Sequence, residues 1–315
     1  MLMHWLYLLL GVFTFVELNC ENLFDTQHDS LKQDMEYLPE SYHHWNKSRY
    51  WNKLNHIGQS IIACGKHENK WLLPDLVALC EVENDSVVRD LTKRSLLRQA
   101  RYEYVMTESP DVRGIDVALL YSPFTFKLLR WNSIRVTPIK GMRPTRDILY
   151  AAGQLINDDT LHVFVVHAPS RMGGELATRD HRMAVAKRLV EAVDSVRNHS
   201  NNAKIVIAGD FNDYQKDVSI QYVMHHDFLD ISASAVGNHG AKGTYKYRGE
   251  WGSLDHIFCS DPLIPFFQRC YVADFPFLLT EDEIYGGVQP LRNFHGARYQ
   301  NGFSDHLPLV SLFNF

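Results

Sequence analysis

The sequence predicts an α/β protein in which two mixed β-sheets pack face to face with helices outside them. Three observations carry this. Short apolar runs rich in Val, Ile, Leu and Phe recur along the 315 residues. Amphipathic stretches of helical period separate some of these runs. Other runs follow one another closely enough to form hairpins, which a single doubly wound sheet would not show.

The expected strands, in order, are Phe13–Leu18, Leu76–Cys80, Asp116–Tyr121, His162–Val166, Lys204–Ala208, Leu254–Cys259 and Leu309–Phe313. One helix is expected over Arg49–Cys64, with Leu54, Ile57, Ile61 and Ile62 on one side. Another covers Ala177–Val196, where Met183, Leu189, Val190, Val193 and Val196 recur at helical spacing. The stretch from 25 to 48 is polar and aromatic-rich, and reads as a loop inserted near the end of the first strand. With no internal repeat, low-complexity tract or Pro/Ser linker, residues 1–315 read as one domain.

Hydrophobic residues at 45% and charged residues at 22% are ordinary for a globular protein. The formal charge of −5 supplies no global basic field for nucleic acid or an anionic membrane. A local basic groove would not show in that sum. Cys20, Cys64, Cys80, Cys259 and Cys270 have neither zinc-site spacing nor a disulfide pattern, and read as buried thiols. Residues Leu6 to Val16 are apolar, but no Lys or Arg precedes them and no small-x-small site follows. The run leans toward an exported or cell-envelope protein; a buried N-terminal strand of a cytoplasmic one stays open.

Polar residues fall repeatedly at the mouths of apolar runs. Leu76-Val-Ala-Leu-Cys80 enters Glu81-Val-Glu83-Asn84, and Val163–Val166 enters His167-Ala-Pro-Ser-Arg171. Ile205–Ala208 enters Gly209-Asp210-Phe211-Asn212, and the first run ends at Asn19-Cys20-Glu21. Asp255-His256 lies within the sixth run, and Ser304-Asp305-His306 precedes the last. Each alone has a plain structural explanation, such as a turn or a solvated strand end. Their joint occurrence argues for ligand-binding side chains on a rigid scaffold. Oxygen donors suit a hard cation, Mg²⁺ or Mn²⁺. Two histidines with spare carboxylates suit proton transfer and charge stabilisation around phosphorus. Neither a nucleophile elbow, a Walker loop nor His-Glu-x-x-His competes.

Asn19-Cys-Glu21, Glu81, Gly209-Asp210-Phe-Asn212, Leu254-Asp255-His256 and Ser304-Asp305-His306 resemble, in order, the motifs of the endonuclease/exonuclease/phosphatase superfamily. Arg113-Gly-Ile-Asp116 and His167-Ala-Pro-Ser-Arg171 look like an exported bacterial branch of it. The resemblance spans residues 13–313 and implies a four-layer α/β-sandwich. It implies that Glu81 is the principal metal carboxylate, with Asp305, Asn19 and Glu21 as neighbouring metal and water ligands. Asp210 and Asn212 would orient water and phosphate, and His306 would contact the scissile phosphate with Asp255 orienting it. His167 matches the second histidine of the deoxyribonuclease-like and sphingomyelinase-like branches, with Asp116 placed to orient it. A carboxylate on one imidazole nitrogen sets the tautomer and leaves the other nitrogen for substrate.

Arg171, Arg113 and Arg146, with Arg143, are the candidate phosphate-binding arginines, and Arg171 leads because it follows His167 closely. Because no other cation is near those strand ends in sequence, a singly charged diester is expected in preference to a monoester. Trp45, Tyr50 and Trp51 read as packing residues of the insertion rather than base-stacking ones, and Phe275-Pro-Phe-Leu-Leu279 as packing rather than a membrane hairpin. The expectation is a Mg²⁺-dependent (or Mn²⁺-dependent) phosphodiesterase, nuclease-like, with nucleic acid among its candidate substrates. No obligate protein partner is expected, and the chain reads as a monomer. The alternatives are an inositol-phosphate or lipid-headgroup hydrolase and a catalytically inactive binding module.

Overall fold

The computed structural model describes residues 12–67 and 70–315. Most of the apolar N-terminal run read as an export signal lies outside them. No described helix is long and apolar enough to cross a membrane.

Two six-stranded mixed sheets form the body. The first holds, in spatial order, β15 (Phe267–Val272), β20 (Leu309–Phe313), β1 (Phe13–Leu23), β4 (Leu76–Val82), β6 (Asp116–Tyr121) and β5 (Glu103–Met106). The second holds β11 (Phe228–Asp230), β14 (Asp255–Ser260), β10 (Lys204–Asp210), β9 (Thr160–His167), β8 (Ile148–Leu155) and β7 (Phe126–Ile134). The short pairs β2–β3 (Lys66–His67, Lys70–Trp71), β12–β13 (Tyr245–Tyr247, Glu250–Gly252), β16–β17 (Leu279–Glu281, Val288–Pro290) and β18–β19 (Phe294–His295, Arg298–Tyr299) stand outside both sheets.

Alternation along β1 shows how the layers arise. Phe13 and Phe15 point between the sheets with Leu76, Ala78, Val163, Val206 and Ile257. Val16, Leu18 and Cys20 point the other way, against Leu54, Ile57 and Ile61 of the helix Lys47–Cys64. A strand buried on both faces loses the polar half of the period-two pattern and reads as a continuous apolar run. The helix Glu175–Arg197 covers the outer face of the second sheet with Val185, Leu189 and Val193. The result is the four-layer sandwich, helices–sheet–sheet–helices.

The seven expected strands all form, as do both expected helices, within a few residues of their expected ends. The edge strands β5, β7, β11 and β15 were missed, and so was β8, an interior strand buried along almost its whole length. Outside its first residue, β7 exposes most of its length, so its sequence has no apolar run to signal it. Trp45 is fully buried and donates from Nε1 to Phe24 O at 3.0 Å, and Tyr50 is buried, so the insertion does pack on the body. Phe277 packs on Phe303, with ring centroids 5.3 Å apart, so that segment also packs inward.

Strand direction brings the polar strand ends to one pole. β1 and β4 run parallel, as do β9 and β10, so their C-terminal ends lie together within each sheet. β20 is antiparallel to β1, β6 to β4 and β14 to β10, so their first residues reach the same pole.

Candidate active site

Register delivers the residues. Asp210 pairs with His167 on one side and with Asp255 on the other. Asn19 bridges the sheets, donating from Nδ2 to Asp210 Oδ2 at 3.0 Å, while its Oδ1 accepts from Glu21 N at 2.9 Å. His306, from the approach to β20, meets Asp255 of β14 across the sandwich, with Nδ1 2.7 Å from Oδ2. Ser304 ties that approach down by donating to Asn19 O at 2.7 Å and accepting from His306 N at 3.1 Å. Asn212 folds back over Asp210, its backbone N–H on Oδ1 at 2.8 Å and its amide on Ala168 O at 3.1 Å.

Backbone irregularities aim several of these side chains. The β1–β4 register shifts between Asn19 and Leu23, and the β4–β6 register between Cys80 and Val82. Glu81 sits in the second bulge at φ 61°, Glu21 in the first at φ 49°, and Asn212 at φ 52°. Bulges re-aim side chains, and left-handed non-glycine residues persist only where surrounding contacts impose them. Gly209 has φ 143°, and a Cβ there would lie 1.8 Å from Val166 O. Only glycine lets β10 approach β9 closely enough at this point.

The carboxylates are crowded. Burial, then the neighbouring Asp255, raises Asp210 to about 7. Burial raises Glu21 to about 7, against the pull of Lys53. Burial pulls His306 down, but Asp255 beside it more than compensates and holds the ring well above its ordinary value. His167 goes the other way: burial, then Arg146 and Arg113, press it well below the ordinary value. The two rings are thus pushed in opposite directions, His306 toward the proton-bound form and His167 away from it.

Three sequence expectations need correction. Asp116 does not orient His167: its carboxylate accepts from Thr107 Oγ1 and Ser109 N, and the buried Nδ1 of His167 has no hydrogen-bond partner. β6 delivers Asp116 to the right pole, but the turn after β5 takes up both of its oxygens. Arg146 is not open to substrate. It is buried, braces the chain at His167 O and Ala168 O at 3.2 and 2.6 Å, and pairs with Asp111 at 3.2 Å. Arg171 lies among Asp217, Glu175 and Asp213 at 2.9, 2.6 and 3.6 Å, so three carboxylates already hold its charge. Arg143 is exposed. Of the candidate arginines, Arg113 reaches the pole, donating to Asn22 Oδ1 with Glu81 as its strongest charged neighbour.

Two cations at the pole were missed. Arg292 donates to Asp305 Oδ2 at 2.6 Å and lies 3.8 Å from Glu21 Oε1. Lys53, fully buried, lies 3.7 Å from Glu21 Oε2 and donates to Phe303 O at 2.5 Å. A signal for Lys53 existed: it shares the helical stripe of Ile57 and Ile61, where a charge is out of place. Arg292 follows a short hairpin with no apolar run beside it, so nothing flagged it.

The expected metal residues suit a hard cation. Glu81 Oε2 accepts from Asn22 N at 2.8 Å, while Oε1 lies 3.8 Å from His167 Nε2, beyond hydrogen-bond range. Glu21, Glu81, Asp210, Asp255 and Asp305 gather oxygen donors of the kind a divalent cation takes. Among the described residues, Asp210, Asp255 and His306 also bring one ligand atom each within 4.8 Å of one another. That trio is better read as a hydrogen-bonded dyad beside a carboxylate. Asp255 Oδ2 is already shared by His306 Nδ1 and Thr244 Oγ1.

The profile of the Endonuclease/Exonuclease/phosphatase family matches residues 14–314. The chain belongs to that family. No curated protein matches it significantly. Among solved structures, a mannosyl-6-phosphatase from Bacteroides thetaiotaomicron superposes with a TM-score of 0.63 at 15% identity, over 96% of this chain and 100% of that one. The human Nocturnin catalytic domain, with bound sulfate, superposes with a TM-score of 0.59 at 16% identity, over 96% and 94%. TDP2 from C. elegans superposes with a TM-score of 0.59 at 14% identity, over 96% and 75%. At these identities the likeness establishes the shared fold.

Proposed function

We propose that the protein is a divalent-metal-dependent phosphoester hydrolase in which water attacks phosphorus, with a phosphodiester as the first substrate class. The observation that carries this is the buried Asp255–His306 pair, 2.7 Å apart, beside Asp210 and at the same pole as Glu21, Glu81 and Asp305. When bound, Mg²⁺ or Mn²⁺ would be held by Glu81 and Asp305, with Asn19 and Glu21 adjoining, and would neutralise charge on the phosphoryl oxygens. Asp255 sets the tautomer of His306, whose proton stabilises charge building on the phosphate or is passed to the leaving oxygen. Asp210, held by Asn19 and Asn212, is placed to orient the attacking water and take its proton, consistent with its raised affinity for protons. His167, 3.7 Å from Asp210 Oδ2, completes the polar wall on that side.

A second reading, phosphomonoester hydrolysis, is favoured by one observation. Arg292, Arg113 and Lys53 converge on the pole, so the cation shortage that argued for a diester does not hold. The mannosyl-6-phosphatase among the structural neighbours acts on that class by name. Comparing kcat/KM for bis(4-nitrophenyl) phosphate and 4-nitrophenyl phosphate at saturating Mg²⁺ separates the two. A clear preference for the monoester replaces the first reading with the second, and no turnover of either, with or without Mn²⁺, refutes both.

A further inference from the structure

Beside the pole, the hairpins β12–β13, β16–β17 and β18–β19 enclose a cavity of about 540 Å³. That is within the usual range for a small-molecule site. Two of its wall residues also touch the catalytic groups. Arg292 lines it and bonds Asp305 at 2.6 Å, and Tyr245 lines it with its ring 4.8 Å from that of His306. Tyr245 and His306 are also joined by a backbone bridge. The cavity therefore adjoins the His306 and Asp305 side of the site.

Its walls are built in advance. Lys246 crosses from one hairpin to the next, donating to Gly286 O and Val288 O at 2.9 and 3.1 Å and pairing with Asp282 at 2.7 Å, both side chains buried. Tyr285 is seated over Gly249, where a Cβ would lie 2.8 Å from its own. Against this frame, other lining groups lack an ion-pair partner among the described residues, although the Arg248 guanidinium lies 5.2 Å over the Tyr247 ring. Arg248 and Arg298 form no ion pair with any described residue, nor do Glu281 and Glu283, and the Gln300 side chain makes no described hydrogen bond. The rings of Tyr247 and Tyr285 are about half exposed.

Charge decides what such a cavity takes. Lys246 is cancelled by Asp282 and Arg292 is engaged by Asp305, which leaves two arginines against two glutamates. A polyanion such as a nucleic-acid strand would find no net positive charge, and two carboxylates would repel it. Planar guanidinium, carboxylate and amide groups each offer paired donors or acceptors matched to adjacent hydroxyls, and tyrosine faces give flat apolar support.

Resting on the hydrolase reading, we infer that this cavity is the leaving-group subsite and that it receives a polyhydroxylated alcohol, the sugar-like or cyclitol portion of the phosphoester. It sets substrate choice from outside the reacting groups.

The test compares the full chain with its Tyr285→Ala/Arg298→Ala variant, both positions exposed and outside the catalytic set. Binding is read by calorimetry with myo-inositol, glucose 6-phosphate and the oligonucleotide (dT)8, in Mg²⁺. The subsite is supported if myo-inositol and glucose 6-phosphate bind the wild type and lose about tenfold or more in affinity in the variant, with (dT)8 not binding to the cavity. It is overturned if neither polyol probe binds, if the variant binds them as well as the wild type, or if (dT)8 binds and is the probe lost. Failure of the wild type to cleave either nitrophenyl ester would strike the hydrolase reading instead, while the binding result would still decide the cavity.

Discussion

Nδ1 of His306 and Oδ2 of Asp255 lie 2.7 Å apart, although 51 residues separate them in the chain and they come from different sheets. Both are buried, and Thr244 Oγ1 donates to the same carboxylate oxygen. The second oxygen, Oδ1, has no hydrogen-bond partner among the described residues.

Replacing Asp255 with Asn removes the charge and allows the wrong tautomer of His306 while keeping the side chain's shape. The fold should survive, and kcat should fall by more than about tenfold with KM little changed. Steady-state kinetics on bis(4-nitrophenyl) phosphate, with circular dichroism as the control, provide the check. Wild-type turnover would remove Asp255 from the mechanism.

Metal binding should show in stability as well as in activity. Mg²⁺ bound only to the folded state stabilises it by about 2.7 kcal/mol at a hundredfold excess over Kd. A Mg²⁺-dependent rise in Tm is expected, and Glu81→Gln should abolish it. Arg292 holds Asp305 at 2.6 Å and so competes for a metal carboxylate. Arg292→Ala should therefore tighten Mg²⁺ binding by a few-fold in a calorimetric titration. Weaker binding would mean that Arg292 organises the metal site instead of competing for it.

Lys53 is fully buried, with Glu21 3.7 Å away. Lys53→Met would leave the Glu21 carboxylate short of its compensating charge, at a cost of roughly 3–5 kcal/mol. Urea unfolding measures this directly. Adding Glu21→Gln should recover part of the loss, since the pair would then be removed together. If the double variant is as unstable as the sum of the singles, the two residues are not coupled.

The buried pair Asp230–His256, 2.9 Å apart, sets a pH dependence of stability. Burial lowers His256, but Asp230 beside it raises it above its ordinary 6.5 on balance. Its contribution is thus complete below 6.5 and is lost as pH rises through the folded-state value. Burial raises Asp230, but His256 lowers it below 3.8 on balance. That contribution is complete above 3.8 and is lost as pH falls through the folded-state value. The pair should stabilise the fold most between about pH 4 and 6.5. Asp230→Asn should cost most in that window, read from Tm measured across pH. A cost that is flat with pH would contradict the linkage.

What could be read from the chain alone was whatever is local. Most strands buried on both faces are apolar throughout, so β1, β4, β6, β9, β10, β14 and β20 announced themselves, and their polar ends marked Asn19, Glu81, His167, Asp210 and Asp305 as candidates. β8, equally buried, did not, because its Ala151-Ala152-Gly153 centre is poor in β-branched residues. Edge strands such as β7 carry no such signal, because solvent replaces one packed face. Partnership was decided by tertiary structure. Whether Asp116 faces His167 or Thr107, and whether Arg146 meets substrate or two backbone carbonyls, depends on where a turn closes and how a bulge points a side chain. Arg292 reached the site from a hairpin far along the chain, for the same reason that three hairpins could wall a cavity. Strand periodicity records which side of a sheet a residue faces, whereas pairing across 51 or 272 residues is recorded only in the closed fold.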